Sequence, residues 1–120
     1  MSITMPNDNL PNYQTDNGAN HETIAALRRS IIAASPKLAH DDIHQQTWLL
    51  GTTGCHLCDV AESLMNQLAA VQPINYHYID ISDFNEPLMM HFATTIPVVL
   101  TPTQRLNYPF SVLDLQQLLV

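Results

Sequence analysis

An α/β fold with one four-stranded mixed sheet is what this sequence predicts, with elements in the order β-α-β-α-β-β-α over residues 47–120 and an N-terminal extension ahead of them. Three observations carry the prediction. Short apolar runs recur at 47–51, 74–81 and 96–100, and "TPTQRLNYPF" (101–110) reads as a turn followed by a fourth, shorter strand. Helical spacing of apolar residues fills the gaps between them. The apolar fraction of 46% is enough for one packed core.

Taken in order, "TWLLG" (47–51) is the first strand, and Trp48 is a packing residue at its start. Leu57, Val60, Ala61, Leu64, Met65, Leu68 and Val71 repeat at helical spacing over 56–71, and Pro73 marks the exit. "INYHYIDI" (74–81) is rich in Ile and Tyr and reads as a second strand. "EPLMMHFA" (86–93) is a short helix that tolerates Pro87 in its first turn. "IPVVL" (96–100) is a buried strand, joined to the fourth strand by a hairpin. "SVLDLQQLLV" closes the chain as a helix, with Ser111 placed to cap it and Asp114 three residues on. The first β-α-β half is read as parallel with a right-handed crossover, and the first and third strands as central.

Residues 1–46 have another character. The first twenty are rich in Asn, Asp, Pro, Thr and Gly without periodicity and read as disordered. "HETIAALRRSIIAA" (21–34) can form a helix with Ile24, Leu27 and Ile31 on one side, stopped by Pro36, and 39–46 reads as a polar linker. On this reading the arm is dispensable, and the folded unit starts at Thr47.

Charge excludes some functions. Four Lys and Arg face eleven Asp and Glu, a net charge of −7, which disfavours nucleic acid and anionic membranes. No apolar run reaches the ~18 residues of a membrane span, and the start lacks a secretory pattern, so a cytoplasmic setting is expected.

The two cysteines, Cys55 and Cys58, stand in "TTGCHLCDVAESL", where a strand gives way to a helix. In a cytoplasmic chain such a pair points to redox or metal chemistry, with structural thiols as the plain alternative. A closed zinc site wants four ligands, and none of the six histidines has finger spacing to the pair. At a helix start, backbone N–H groups and the helix dipole favour thiolate over thiol. Cys55 falls at the tip and Cys58 one turn inside, on the edge of the apolar stripe. Cys55 is therefore the expected nucleophile and Cys58 the resolving thiol. Lowering a thiol pKa from about 8.5 to about 7 raises the thiolate fraction at neutral pH from roughly 3% to roughly 50%. Nucleophilicity falls along the same shift, which leaves a net gain of about threefold. The greater benefit is a resolving sulfur held alongside. His56 either stabilises the thiolate as imidazolium or is a solvated helix-start residue, and Asp59 opposes acidification.

"GCHLCD" (54–59), "TTIPVVL" (94–100) and "YPF" (108–110) together resemble the short bacterial glutaredoxin-like proteins of the thioredoxin superfamily. The resemblance covers residues 47–120 and implies a thioredoxin-like fold and dithiol–disulfide oxidoreductase activity. The substrate it implies is a disulfide-containing protein or a small thiol compound. It also implies a separate electron donor and no cofactor. It implies a cis Ile96–Pro97 bond facing the cysteines, with Thr95 and Ile96 offering backbone to an extended substrate. The rival function is a non-catalytic module of the same fold that binds a partner, or a metal or iron–sulfur centre, through the same cysteines. Glutaredoxins that use glutathione usually carry a Lys shortly before the first Cys and a Gly-Gly-x-Asp turn before the last helix. Here Gly51–Gly54 and "LNYPFSVLD" stand in those places, so weak use of glutathione is expected.

Overall fold

The computed structural model describes residues 18–38 and 41–120. The disorder expected over 1–20 falls outside the described residues up to position 17. Residues 18–20 instead open helix α1, Gly18–Ala34. The expected linker also lies outside them at 39 and 40, and its next residues, Asp41–Ile43, form a 3₁₀ turn.

Strand β1 is Thr47–Gly51, α2 His56–Ala69, β2 Tyr76–Asp80, α3 Glu86–Phe92, β3 Val98–Leu100, β4 Arg105–Asn107 and α4 Val112–Leu119. The sheet order is β2-β1-β3-β4, with β1 parallel to β2 and antiparallel to β3, and β3 antiparallel to β4. The first and third strands are thus central, as the sequence implies. Both are wholly apolar apart from Thr47 and Gly51, because a central strand has side chains buried on both faces.

Period-two alternation then builds two cores. Trp48 and Leu50 point to one face with Ile79, Val98, Leu100 and Phe92, while Leu49 points to the other with Ala61, Met65, Leu68, Val99 and Leu115. Helices α2 and α4 cover the second face. Ser111 caps α4 in a reciprocal box, its hydroxyl accepting from the Asp114 N–H while the Asp114 carboxylate accepts from the Ser111 N–H.

The first face needs more than α3, which has only seven residues and so spans about two turns. Helix α1 completes it. Ile24, Ile31, Leu38 and Ile43 are buried in the same cluster as Trp48, Leu50 and Leu100, and Leu27 packs against it. One hydrophobic cluster therefore runs from Ile24 to Leu100.

A single cation locks α1 down. Arg28 is 5% exposed, and its guanidinium lies 3.7 Å over the Trp48 ring. It donates to the carbonyls of Leu100, His44 and Gln46 at 2.9, 2.6 and 2.7 Å. Trp48 Nε1 in turn donates to Ile43 O at 2.8 Å. Desolvation lowers the Arg28 pKa to about 10, which still leaves it charged at neutral pH. The planar guanidinium suits this place because one face can stack while its edge serves several oxygens.

Candidate redox site

The site begins with Gly51, the last residue of β1. A β-carbon there would stand 2.5 Å from the Tyr78 hydroxyl oxygen and 3.0 Å from Cys58 Cβ, so the backbone itself fills the gap between β2 and α2. Thr52 and Thr53 lead to Gly54, whose φ of +81° turns the chain into the helix. Cys55 follows as the N-cap of α2, in extended conformation, with its Sγ accepting from the Cys58 N–H at 3.1 Å. Sulfur thus takes the place usually held by a Ser or Asp oxygen.

Cys55 and Cys58 form a disulfide, with Cα atoms 5.2 Å apart. Cys55 is partly exposed and Cys58 fully buried, which follows from helix geometry: the inner cysteine lies one turn on, in line with Ala61 and Met65. Leu57, assigned by its spacing to the apolar stripe, instead points outward and is 45% exposed. Val71 lies beyond the end of α2 and is exposed as well. His56 is the first residue of α2 and also faces solvent.

The register brings the second expected segment to the same end of the sheet. Leu50 pairs with Val98, so Gly51 and Pro97 are level across the β1–β3 pair. The Ile96–Pro97 bond is cis, as is Tyr108–Pro109 just beyond the end of β4. Pro97 is buried, and its carbonyl accepts from the Tyr108 N–H at 3.0 Å. The N–H groups of Thr95 and Ile96 both donate to Phe92 O, at 2.9 and 3.0 Å. They close the end of α3. Arg105 Nη2 approaches the Thr95 hydroxyl at 3.5 Å.

Asp80 anchors the loop before Cys55. Its Oδ1 accepts from the Thr52 hydroxyl and the Ser82 N–H, both at 2.9 Å. Burial works to raise its pKa, but the hydrogen bonds from Ser82 and Thr52 and the charge of Lys37 outweigh burial and hold it below the usual value of 3.8. A carboxyl with a lowered folded-state pKa contributes stability above its unfolded pKa and loses it as pH falls through the folded value. Acidification from pH 5 to pH 3 is therefore expected to destabilise the protein less in Asp80→Asn, whose amide oxygen can still accept both bonds. Urea denaturation at the two pH values checks this; equal losses in both proteins would show that Asp80 plays no part.

Two residues of the site escape a reading of motifs alone. Tyr78 lies beside Gly51 and Cys58, and Asp80 beside Thr52. Both sit on β2, and the only signal for them is the parallel pairing Leu49–Tyr78 and Gly51–Asp80. Among the described residues, no group of three or more His, Cys, Asp or Glu is placed to hold a metal ion. No helix among them is long and apolar enough to cross a membrane.

A sheet of this order, flanked by helices and carrying a CxxC disulfide at the start of the helix after β1, defines a thioredoxin-like protein of redox type. Within that class the chain belongs to the glutaredoxin-like domain family (DUF836), whose model matches residues 46–119. The chain is also similar to the X-ray structure of Northeast Structural Genomics target protein XcR50 from X. campestris. The two share 26% identity over 60% of this chain and 92% of that one, with a TM-score of 0.52. No curated protein matches it.

Proposed function

We propose that the protein is a dithiol–disulfide oxidoreductase in which Cys55 attacks the substrate disulfide and Cys58 resolves the mixed disulfide. The observation that carries this reading is the asymmetry of the pair. Cys55 is partly exposed and caps α2, where its Sγ accepts a backbone N–H bond, while Cys58 is buried one turn behind it. Such a bond is stronger to a thiolate than to a thiol, so it favours ionisation of the outer sulfur. Substrates are protein or small-molecule disulfides that dock beside Cys55, with Pro97 and the backbone of Ile96 shaping the groove. A separate thiol donor returns the pair to the dithiol after each turnover, and no cofactor enters the exchange. A reducing cytoplasm fits this cycle.

A Cys58→Ser variant tests the reading. It is expected to accumulate a mixed disulfide through Cys55 when offered an oxidised protein substrate, and Cys55→Ser to accumulate none. Trapping through the inner sulfur, or no trapping at all, would overturn the role assignment.

The donor is expected to be a protein dithiol rather than glutathione. The loop Gly51–Gly54 carries no cation, and the turn before α4 holds "NYPFS" in place of a glycine pair. Turnover with glutathione should be weak, and turnover coupled to a thioredoxin-reductase-type donor faster. Glutathione rates equal to those of an ordinary glutaredoxin, measured side by side, would refute this.

A further inference from the structure

The disulfide exchange proposed above needs both sulfurs to carry charge, and the helix start serves only one. The Cys58 N–H donates to Cys55. Cys58, at the third helical position, is fully buried, and Asp59 and Glu62 follow it one and four residues on in the same helix, where their negative charge opposes a thiolate. One donor stands nearby, across Gly51. A methyl group built on Gly51 would be 2.5 Å from Tyr78 Oη and 3.0 Å from Cys58 Cβ, so these two atoms lie no farther apart than the sum of those distances. Sγ is one bond from that Cβ. Among the described residues the Tyr78 hydroxyl has no hydrogen-bond partner, whereas its neighbour on the same face, Tyr76, spends its own on Asn66 Oδ1 at 2.7 Å.

We infer that Tyr78 is a positioning residue for the buried sulfur: its hydroxyl donates a hydrogen bond to Cys58 Sγ when the disulfide opens. This inference rests on the dithiol reading of the site. A donor thiolate attacks Cys55 Sγ, a new S–S bond joins donor and Cys55, the Cys55–Cys58 bond breaks, and its electron pair leaves on Cys58 Sγ. A hydrogen bond to that departing thiolate makes it a better leaving group. In the resolving direction the same bond raises the fraction of Cys58 that is ionised and able to attack Cys55. The phenol remains a donor throughout. Desolvation raises its pKa above the ordinary 10, and the charges of Asp80, Glu62 and Asp59 push it the same way. These carboxylates therefore keep Tyr78 protonated.

Tyr78→Phe removes only the hydroxyl, with Tyr76→Phe as a control on the same strand. In a Cys55→Ser background, the pH dependence of the Cys58 ¹³Cβ resonance gives its pKa. The second readout is the rate at which dithiothreitol opens the disulfide in proteins with both cysteines. Loss of one hydrogen bond to a charged group is expected to raise the Cys58 pKa by about one unit. It should also slow opening by about threefold to tenfold. Tyr76→Phe should move neither. An unchanged Cys58 pKa in Tyr78→Phe, or an equal shift in both variants, would overturn the inference. Neither readout uses a protein substrate, so the role of Tyr78 is decided whether or not the Cys58→Ser trap captures one.

Discussion

Deleting residues 1–44 is expected to leave a chain that no longer folds cooperatively at room temperature. The deletion removes Ile24, Ile31, Leu38 and Ile43, all at most 9% exposed. Each such side chain contributes about 1.5–3 kcal/mol when buried. Together they approach the roughly 5–15 kcal/mol that holds a whole domain folded. The deletion also bares Trp48, Leu50 and Leu100 on a face that seven-residue α3 cannot cover. Arg28→Ala probes the same contact more gently. It strips the donor from three backbone carbonyls and uncovers the Trp48 ring, an expected cost of about 3 kcal/mol or more. Arg28→Lys should recover little of it, since a point charge cannot stack on the ring and reach all three oxygens. Urea denaturation followed by circular dichroism measures both effects. A truncated chain that melts within a few degrees of the full one would show that α1 is only an appendage.

Gly51→Val is the second large expectation. Glycine at this position is a matter of space rather than of backbone angle. The first atom of any side chain meets both the Tyr78 hydroxyl and the root of Cys58. Tyr78 can swing its tip away, but Cys58 is held in α2 by the helix and by the packing of Ala61 and Met65 behind it. Valine adds two further methyl groups in the same gap. Overpacking of this kind costs about 1–3 kcal/mol, and here the strain falls on the first turn of α2. The variant should lose stability and expose Cys58 to alkylation in the reduced protein, which thermal unfolding and iodoacetamide labelling would report. Gly51→Ala should behave in the same direction with a smaller effect, and Tyr78→Phe should partly relieve it by removing the nearest atom. Wild-type stability and labelling in Gly51→Val would mean that the strand end and α2 are free to separate.

The sheet and the cysteine pair were legible in the sequence because their signals are local. Alternating and continuous apolar runs mark strands one at a time, Ser111 and Asp114 announce a helix start within four residues, and CxxC needs only its own spacing. The contribution of α1 was not legible in this way. Ile24, Leu27 and Ile31 show a stripe, but a stripe does not say what it packs against. Arg28 stands next to Arg29 in the sequence with nothing local to set the two apart, whereas in the fold one is buried and the other exposed. Only the missing cover over Trp48 and Leu100 explains the difference, and that gap exists in three dimensions alone. Tyr78 escaped for a related reason. It is 20 residues from Cys58, and the two meet only through the register of β1 against β2. The N–H groups of Thr95 and Ile96 are bonded to Phe92 O at the end of α3, a pairing that the motif does not announce.

The cap of α2 has one more consequence. The atom that ends the helix is the same atom whose oxidation state changes, and one amide, that of Cys58, points at it from 3.1 Å. That amide is a built-in spectroscopic probe. Its proton and nitrogen resonances respond directly to whether Cys55 is bonded, protonated or anionic. A single cross-peak followed in a two-dimensional NMR titration of ¹⁵N-enriched protein would read the redox and ionisation states of the outer sulfur, with no chemical probe attached and no residue replaced.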